Sequence, residues 1–172
     1  MNVYDAILKR RSIRKFKSDL VNEEIIEKLL IAAMAAPSAR NMQPWEFYVV
    51  SNKEVINKIR DVARSINFES PLMIVICGNT DRGITKKNND FWIQDCSAAI
   101  ENILLAATEL GLGTVWCGLY PVLERANAVR EIINEEKNII PLGVIHIGYP
   151  DEEKEERSQY NTKYVHYLKW FY

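Results

Sequence analysis

The stretch FWIQDCSAAIENILLAATELGLGTVWCGLYP, residues 91–121, decides the fold. Its first part reads as a long helix, because Cys96, Ala99, Ile100, Ile103, Leu104, Ala107 and Leu110 recur at helical spacing. The rest of that helix is hardly more polar. Ala98, Leu105 and Ala106 lie off the stripe, and only Asp95, Glu101 and Glu109 carry charge. A helix apolar nearly all round is covered on several sides, and its alanines let another backbone come close. Gly111 and Gly113 stop it. Strand-forming residues then run from Thr114 into Gly118 and Pro121. A buried element ending in a tight loop is a usual place to hold a ligand; the plainer reading is a core helix and a turn.

Composition bounds what surrounds this stretch. The chain has 172 residues, 48% of them hydrophobic and 26% charged, which predicts one soluble domain over residues 1–172. A formal net charge of -1 argues against nucleic acid as a partner. No apolar run approaches the length of a membrane span. The opening MNVYDAILKRRSIRKF has no signal-peptide core. Cys77, Cys96 and Cys117 are odd in number and widely spaced, so neither a disulfide framework nor a metal site is indicated. The default location is cytoplasmic.

Upstream, residues 2–9 can form a short helix with Val3, Ala6 and Ile7 on one face. RRSIRKFK at 10–17 follows, a run of cations broken by Ile13 and Phe16. It is either a solvated basic patch or an anion cradle, since guanidinium forks match phosphate oxygens and Ser12 adds a donor. Asn22 is an N-cap, and Val21 and Ile26 are placed as a hydrophobic staple. The helix it opens turns Ile25, Ile26, Leu29, Leu30 and Ala33 inward and stops before Pro37. Between Pro37 and Pro44 lies an ordered loop rich in small and amide residues, suited to hydrogen-bond a heteroaromatic ring. A strand is expected over 47–50. A helix capped by Ser51 and Glu54 follows, with Val55, Ile56, Ile59, Val62 and Ala63 inward.

Downstream, 72–77 and 139–147 are continuous apolar runs and read as buried strands. Residues 78–90 form a polar loop, and 127–136 a helix. The charged run 151–157 is expected in solvent. Beyond it come Tyr160, Tyr164, Tyr167, Trp170, Phe171 and Tyr172. So many aromatics are costly to leave in water; this tail packs either on its own domain or around a second subunit.

No catalytic constellation is visible. His146 in its apolar strand reads as a core histidine, and His166 among aromatics as structural. Ser12 and Ser38 have no evident histidine partner. GLGTVWCG differs in spacing from the dinucleotide fingerprint and follows a helix instead of opening one. Either a bound cofactor supplies the reactivity or there is none.

Taken in order, RRSIRKF, APSARNMQPWEFYVV, ELGLGTVWCGLYP, PLGVIHIGYP and KYVHYLKW resemble the nitroreductase-like FMN-dependent oxidoreductases, in particular their short members. The resemblance spans nearly the whole chain. It implies an α/β (α+β) fold, a central mixed but mainly antiparallel sheet flanked by helices. It implies an intertwined homodimer with FMN at the subunit interface and the tail, 151–172, on the partner. Arg10, Ser12 and Arg14 match the phosphate- and ribityl-binding motif, with Arg11 inside it. Pro37, Ser38, Ala39 and Asn41 match a loop that reaches the flavin from the other subunit. Cys117, Gly118 and Leu119 match the segment whose backbone N–H groups face the reactive ring edge. No protein residue would be directly catalytic, and Arg14 would supply positive charge that favours the reduced cofactor. NADH or NADPH would be the donor and a nitroaromatic or quinone the acceptor, by a ping-pong mechanism. Alternatives are a reductive dehalogenase, a flavin-degrading enzyme, or a non-catalytic FMN-binding protein. One departure stands in the tail: Arg157-Ser158-Gln159-Tyr160 has glutamine where related tails carry a second cation, leaving Arg157 for the phosphate.

Overall fold

The structure is a computed structural model that describes residues 1–63, 69–82 and 90–168. In chain order the elements are α1 (Val3–Lys9), α2 (Glu23–Met34), β1 (Trp45–Val50), α3 (Lys53–Ala63), β2 (Leu72–Asn79), α4 (Phe91–Glu109), β3 (Gly113–Gly118), α5 (Leu123–Ile132) and β4 (Ile139–Gly148). Short 3-10 turns lie at Ala39–Asn41 and Thr162–Tyr164.

The four strands form one sheet in the order β1-β2-β4-β3, every pair antiparallel. Among the described residues the sheet is mixed only through an isolated parallel bridge, Ser12 to Thr114, outside β3's free edge. Because β2 and β4 are the inner strands, both their faces need cover, which is why their sequences are continuously apolar. On one face Ile74, Ile76, Ile145 and Ile147 pack with Leu29 and Ala33 of α2 and Ala99, Ile100 and Ile103 of α4. On the other, Met73, Val75 and Val144 pack with Ile56 and Ile59 of α3 and Ala126 and Val129 of α5. Burying each such isoleucine stabilises the fold by about 1.5–3 kcal/mol.

α4 is the central helix the spacing predicts, with all of the stripe except Leu110 fully buried. It ends where Gly111 takes a left-handed φ of 74° and Leu112 N–H bonds back to Ala107 O at 2.8 Å. The Asn22 side chain caps α2, accepting from Ile25 N–H at 2.9 Å.

Four expectations need correction. α3 is capped by Asn52, whose Oδ1 accepts from Glu54 N–H at 2.9 Å and Val55 N–H at 3.1 Å, and not by Ser51. α5 starts and ends four residues early; Asn134, left-handed at φ 57°, closes it before 136. On α1 only Ala6 is buried, while Val3 and Ile7 face outward. The run 151–157 is not simply solvated but binds the basic segment. Asp151 N–H donates to Lys15 O, and Glu152 accepts from Arg14 N–H and Lys15 N–H. Lys154 donates to Ser12 O, and Arg11 donates to Glu155 O. The loop expected over 78–90 lies partly outside the described residues. No helix among the described residues is long and apolar enough to cross a membrane.

Candidate functional site

β3 ends on a free sheet edge, and the basic segment lies along that edge. Ile13 N–H donates to Thr114 O at 2.9 Å, so Thr114 points its main-chain groups away from β4. Peptide groups alternate direction along an antiparallel strand. Trp116 and Gly118 therefore also turn their N–H groups to the open edge, whereas Cys117 turns its own toward β4. Leu119, fully buried, donates to Leu142 O at 2.9 Å. Of the expected trio, only Gly118 offers a free-edge amide. Its surroundings are open: a Cβ built on Gly118 meets nothing within 4 Å.

Charge gathers beside this strand end. Arg14 acts electrostatically on Cys117. Burial pushes the Cys117 thiol up to about 11, and the Arg14 charge only partly opposes it, so the group is a neutral thiol at neutral pH and no nucleophile. Arg10 lies 3.4 Å from Glu101 of α4. Arg11 is held by Glu155 O, while its Nε is buried with no hydrogen-bond partner among the described residues. Arg157 N–H reaches Leu8 O at 3.4 Å, and its guanidinium lies 3.4 Å from Gln159 Oε1. The tail thus brings Arg157 to the end of α1, within the same neighbourhood.

The proline loop lies elsewhere. Ala39 N–H donates to the buried Asp95 carboxylate of α4 at 2.9 Å. Ser38 Oγ accepts from Gln43 N–H at 3.0 Å, and Asn41 Oδ1 accepts from Gln43 Nε2 at 3.0 Å. Arg40, Asn41 and Gln43 all hold left-handed φ angles, 52°, 55° and 48°. Such strain persists only where surrounding contacts over-determine it, and it clusters at ligand sites. Six residues separate Asp95 from Glu101. That spacing is ~9 Å along α4 and about a third of a turn around it. One chain therefore does not bring Pro37, Ser38, Ala39 and Asn41 onto the same spot as Arg10.

Trp116 was not singled out from the sequence. It shares a face of β3 with Thr114 and Gly118, is 38% exposed, and sits over Gly143, where an added Cβ would come 2.5 Å from its Nε1. Period-two reading of TVWCG places it on Gly118's face. Lys154 and Glu152 were missed too, because nothing local marks them.

His146 is fully buried in β4, with Nδ1 2.7 Å from Ser70 Oγ; burial, and then the nearby Arg60 charge, lower its pKa to about 3. It is a neutral core histidine, as expected. His166 stands exposed in the tail of the single chain. Among the described residues no cluster could hold a metal ion.

The chain matches the nitroreductase family over residues 7–71 and 62–149. It belongs to that family. A relative from Methanothermobacter thermautotrophicus, provisionally named NADH dehydrogenase/NAD(P)H nitroreductase, is 42% identical over 99% of this chain and 88% of its own length. A crystal structure of a provisional NADH oxidase from Clostridium acetobutylicum superposes with a TM-score of 0.89 at 43% identity, covering 96% of this chain and all of that one. An FMN-dependent nitroreductase of Clostridium difficile R20291 superposes with a TM-score of 0.86 at 33% identity, covering 96% of this chain and 98% of that one. This nitroreductase-family chain therefore carries the family fold over nearly its whole length.

Proposed function

We propose that the chain is an FMN-dependent oxidoreductase that passes electrons from NADH or NADPH to a small acceptor such as a nitroaromatic or a quinone. The observation that carries this reading is the free edge at Gly118, open where a Cβ would stand, next to Cys117 on which the Arg14 charge acts. The donor set suits the cofactor. Arg10, Arg11, Ser12 and Arg14 bring guanidinium and hydroxyl donors suited to a phosphate and a polyol chain. Arg157 adds a cation from the tail root. The name of the Clostridium difficile relative supports the same cofactor.

When bound, FMN supplies the hydride and electron transfer between donor and acceptor. The chain holds and orients it. Gly118 N–H would hold the ring edge and Arg14 would supply positive charge to it, while Cys117 stays protonated and inert. Donor and acceptor then share one open face, and the kinetics are ping-pong.

The site is completed by a second copy. Within one chain the proline loop is anchored ~9 Å along α4 from the anchor of Arg10, and the aromatic tail stands away from its own domain, with Tyr160, Tyr164 and Tyr167 about four-fifths exposed. Two copies exchange these parts. Pro37, Ser38, Ala39 and Asn41 of one face the ring bound by the other, and residues 151–172 pack across the interface.

Absorbance decides the matter. The purified protein is expected to be yellow, to bleach anaerobically with NADH or NADPH, and to recover colour with a quinone. Parallel double-reciprocal lines are expected when donor and acceptor are varied. Intersecting lines would remove the shared face, and a colour untouched by both nicotinamides would favour a non-catalytic FMN-binding protein. Arg10→Ala should weaken FMN binding several-fold to a few hundredfold, for ~1.5–3 kcal/mol of charge-assisted bonding.

A further inference from the structure

A cavity of about 300 Å³ opens between the end of the basic run with the residues just after it, the first turns of α3 and the entry to β2. That volume is at the lower end for small-molecule sites. Phe16, Leu20, Ile56 and Pro71 give it apolar lining. Arg60 enters from α3 with a side chain only 18% exposed. Its Nη1 donates to Asn57 Oδ1 at 3.0 Å and lies 3.6 Å from Glu69 Oε1. Its Nε is buried with no hydrogen-bond partner among the described residues. A guanidinium carries five N–H donors in a fork shaped for an oxyanion, and a buried donor left unpaired is costly. Lys17 and Lys53 stand exposed at the rim, so among the described residues lining the cavity three cations face the carboxylate of Glu69. That carboxylate is 71% exposed and touches Arg60 loosely, the kind of surface pair that holds weakly.

We propose that this cavity binds a small organic anion, with its phosphate or carboxylate on Arg60 in place of Glu69 and its apolar body against Phe16 and Pro71. The site is separate from the redox edge. Pro71 packs at Gly148, whereas Gly118 pairs with Gly143, five residues away along β4, or ~17 Å. Ser70 forms part of the wall without being free to react. Its hydroxyl lies 3.0 Å from Leu72 O and 2.7 Å from His146 Nδ1.

A purely structural Arg60, tying α3 to the chain entering β2, makes a different prediction. Removing either Arg60 or Glu69 would then simply loosen the protein. As an anion site, the two substitutions act in opposite directions. The probe is phenyl phosphate, titrated calorimetrically into the full-length protein saturated with FMN. Arg60→Gln is expected to weaken binding by about tenfold or more, and Glu69→Gln to tighten it several-fold by removing the competing carboxylate. Lys53→Gln, an exposed change that leaves folding intact, should weaken it several-fold. Inorganic phosphate, lacking the ring, should bind roughly tenfold more weakly than phenyl phosphate. The flavin absorbance should not move. No binding at millimolar phenyl phosphate, a Glu69→Gln variant that loses affinity, or affinity insensitive to both Arg60→Gln and Lys53→Gln would overturn the proposal, as would binding that perturbs the flavin spectrum. None of these readouts depends on redox turnover, so their failure is distinct from failure of the proposed function.

Discussion

The carboxylate of Glu152 accepts the main-chain N–H of Arg14 at 2.5 Å and that of Lys15 at 3.3 Å, and it lies 3.2 Å from Lys154 Nζ. Lys154 in turn holds Ser12 O at 2.6 Å. An acidic residue from the start of the tail therefore sets the path of the segment that presents Ser12 and Arg14. Glu152→Ala should release that segment and weaken FMN binding several-fold. Glu152→Gln, which keeps an acceptor oxygen, should lie between. The bond to Arg14 is the main cause that holds the Glu152 carboxyl below its ordinary value of 4.5. A carboxyl depressed on folding stabilises the fold above its unfolded pKa, and that contribution is lost as pH falls through the folded one. Urea midpoints should therefore drop more steeply below about pH 4.5 in the parent than in Glu152→Gln.

Two glycines next to Trp116 separate fold from ligand. Gly143→Ala would place a Cβ 2.5 Å from Trp116 Nε1 and 2.9 Å from Cys117 O. It should destabilise the protein by ~1–3 kcal/mol through overpacking. Gly118→Ala meets nothing within 4 Å. It should leave the melting temperature unchanged yet reduce FMN affinity, because the new methyl would crowd the approach to the amide that holds the ring edge. Equal FMN affinity in Gly118→Ala and the parent would remove Gly118 from the site.

His146 gives a stability signature of its own. Its folded pKa of about 3 lies below the ordinary 6.5, so the unfolded chain takes up a proton that the folded one refuses. Stability tied to this residue is complete above pH 6.5 and declines as pH falls toward 3. Denaturation midpoints of the parent should fall across the upper part of that window. In His146→Gln the profile there should be flatter, from a lower starting stability because the Ser70 contact is weakened. A parent profile flat from neutral to mildly acid pH would contradict the assignment.

Leu168 is 90% exposed and Tyr164 82%, beside further exposed apolar side chains on α1 (Val3, Tyr4, Ile7). A monomer rarely leaves so much apolar surface in water. Deleting residues 160–172 should yield a colourless, aggregating protein, followed by light scattering and flavin absorbance. A monodisperse yellow monomer would refute the dimer.

Much of the fold was legible where one local force dominates. The α4 stripe, the Asn22 cap and the two inner strands each follow from short-range periodicity or a side chain bonding its own helix. Boundaries failed where signals compete. Ser51 and Asn52 are both capping residues, and only geometry selects the second. α5 buries just Ala126 and Val129, too little pattern to fix where it begins. For the site, the motif segments could be read, but not that Leu119 N–H is already engaged by Leu142. That depends on strand direction. The charged run 151–157 was the largest miss, because composition reports affinity for water and is blind to amides more than a hundred residues away.

The Glu152–Arg14 contact spans 138 residues. Closing so long a loop carries an entropic cost, which the sheet pairing that brings the two segments together helps to offset. The arrangement of Ser12 and Arg14 is thus written in a residue far from them along the chain, and a chain lacking Glu152 would carry the cations without their arrangement.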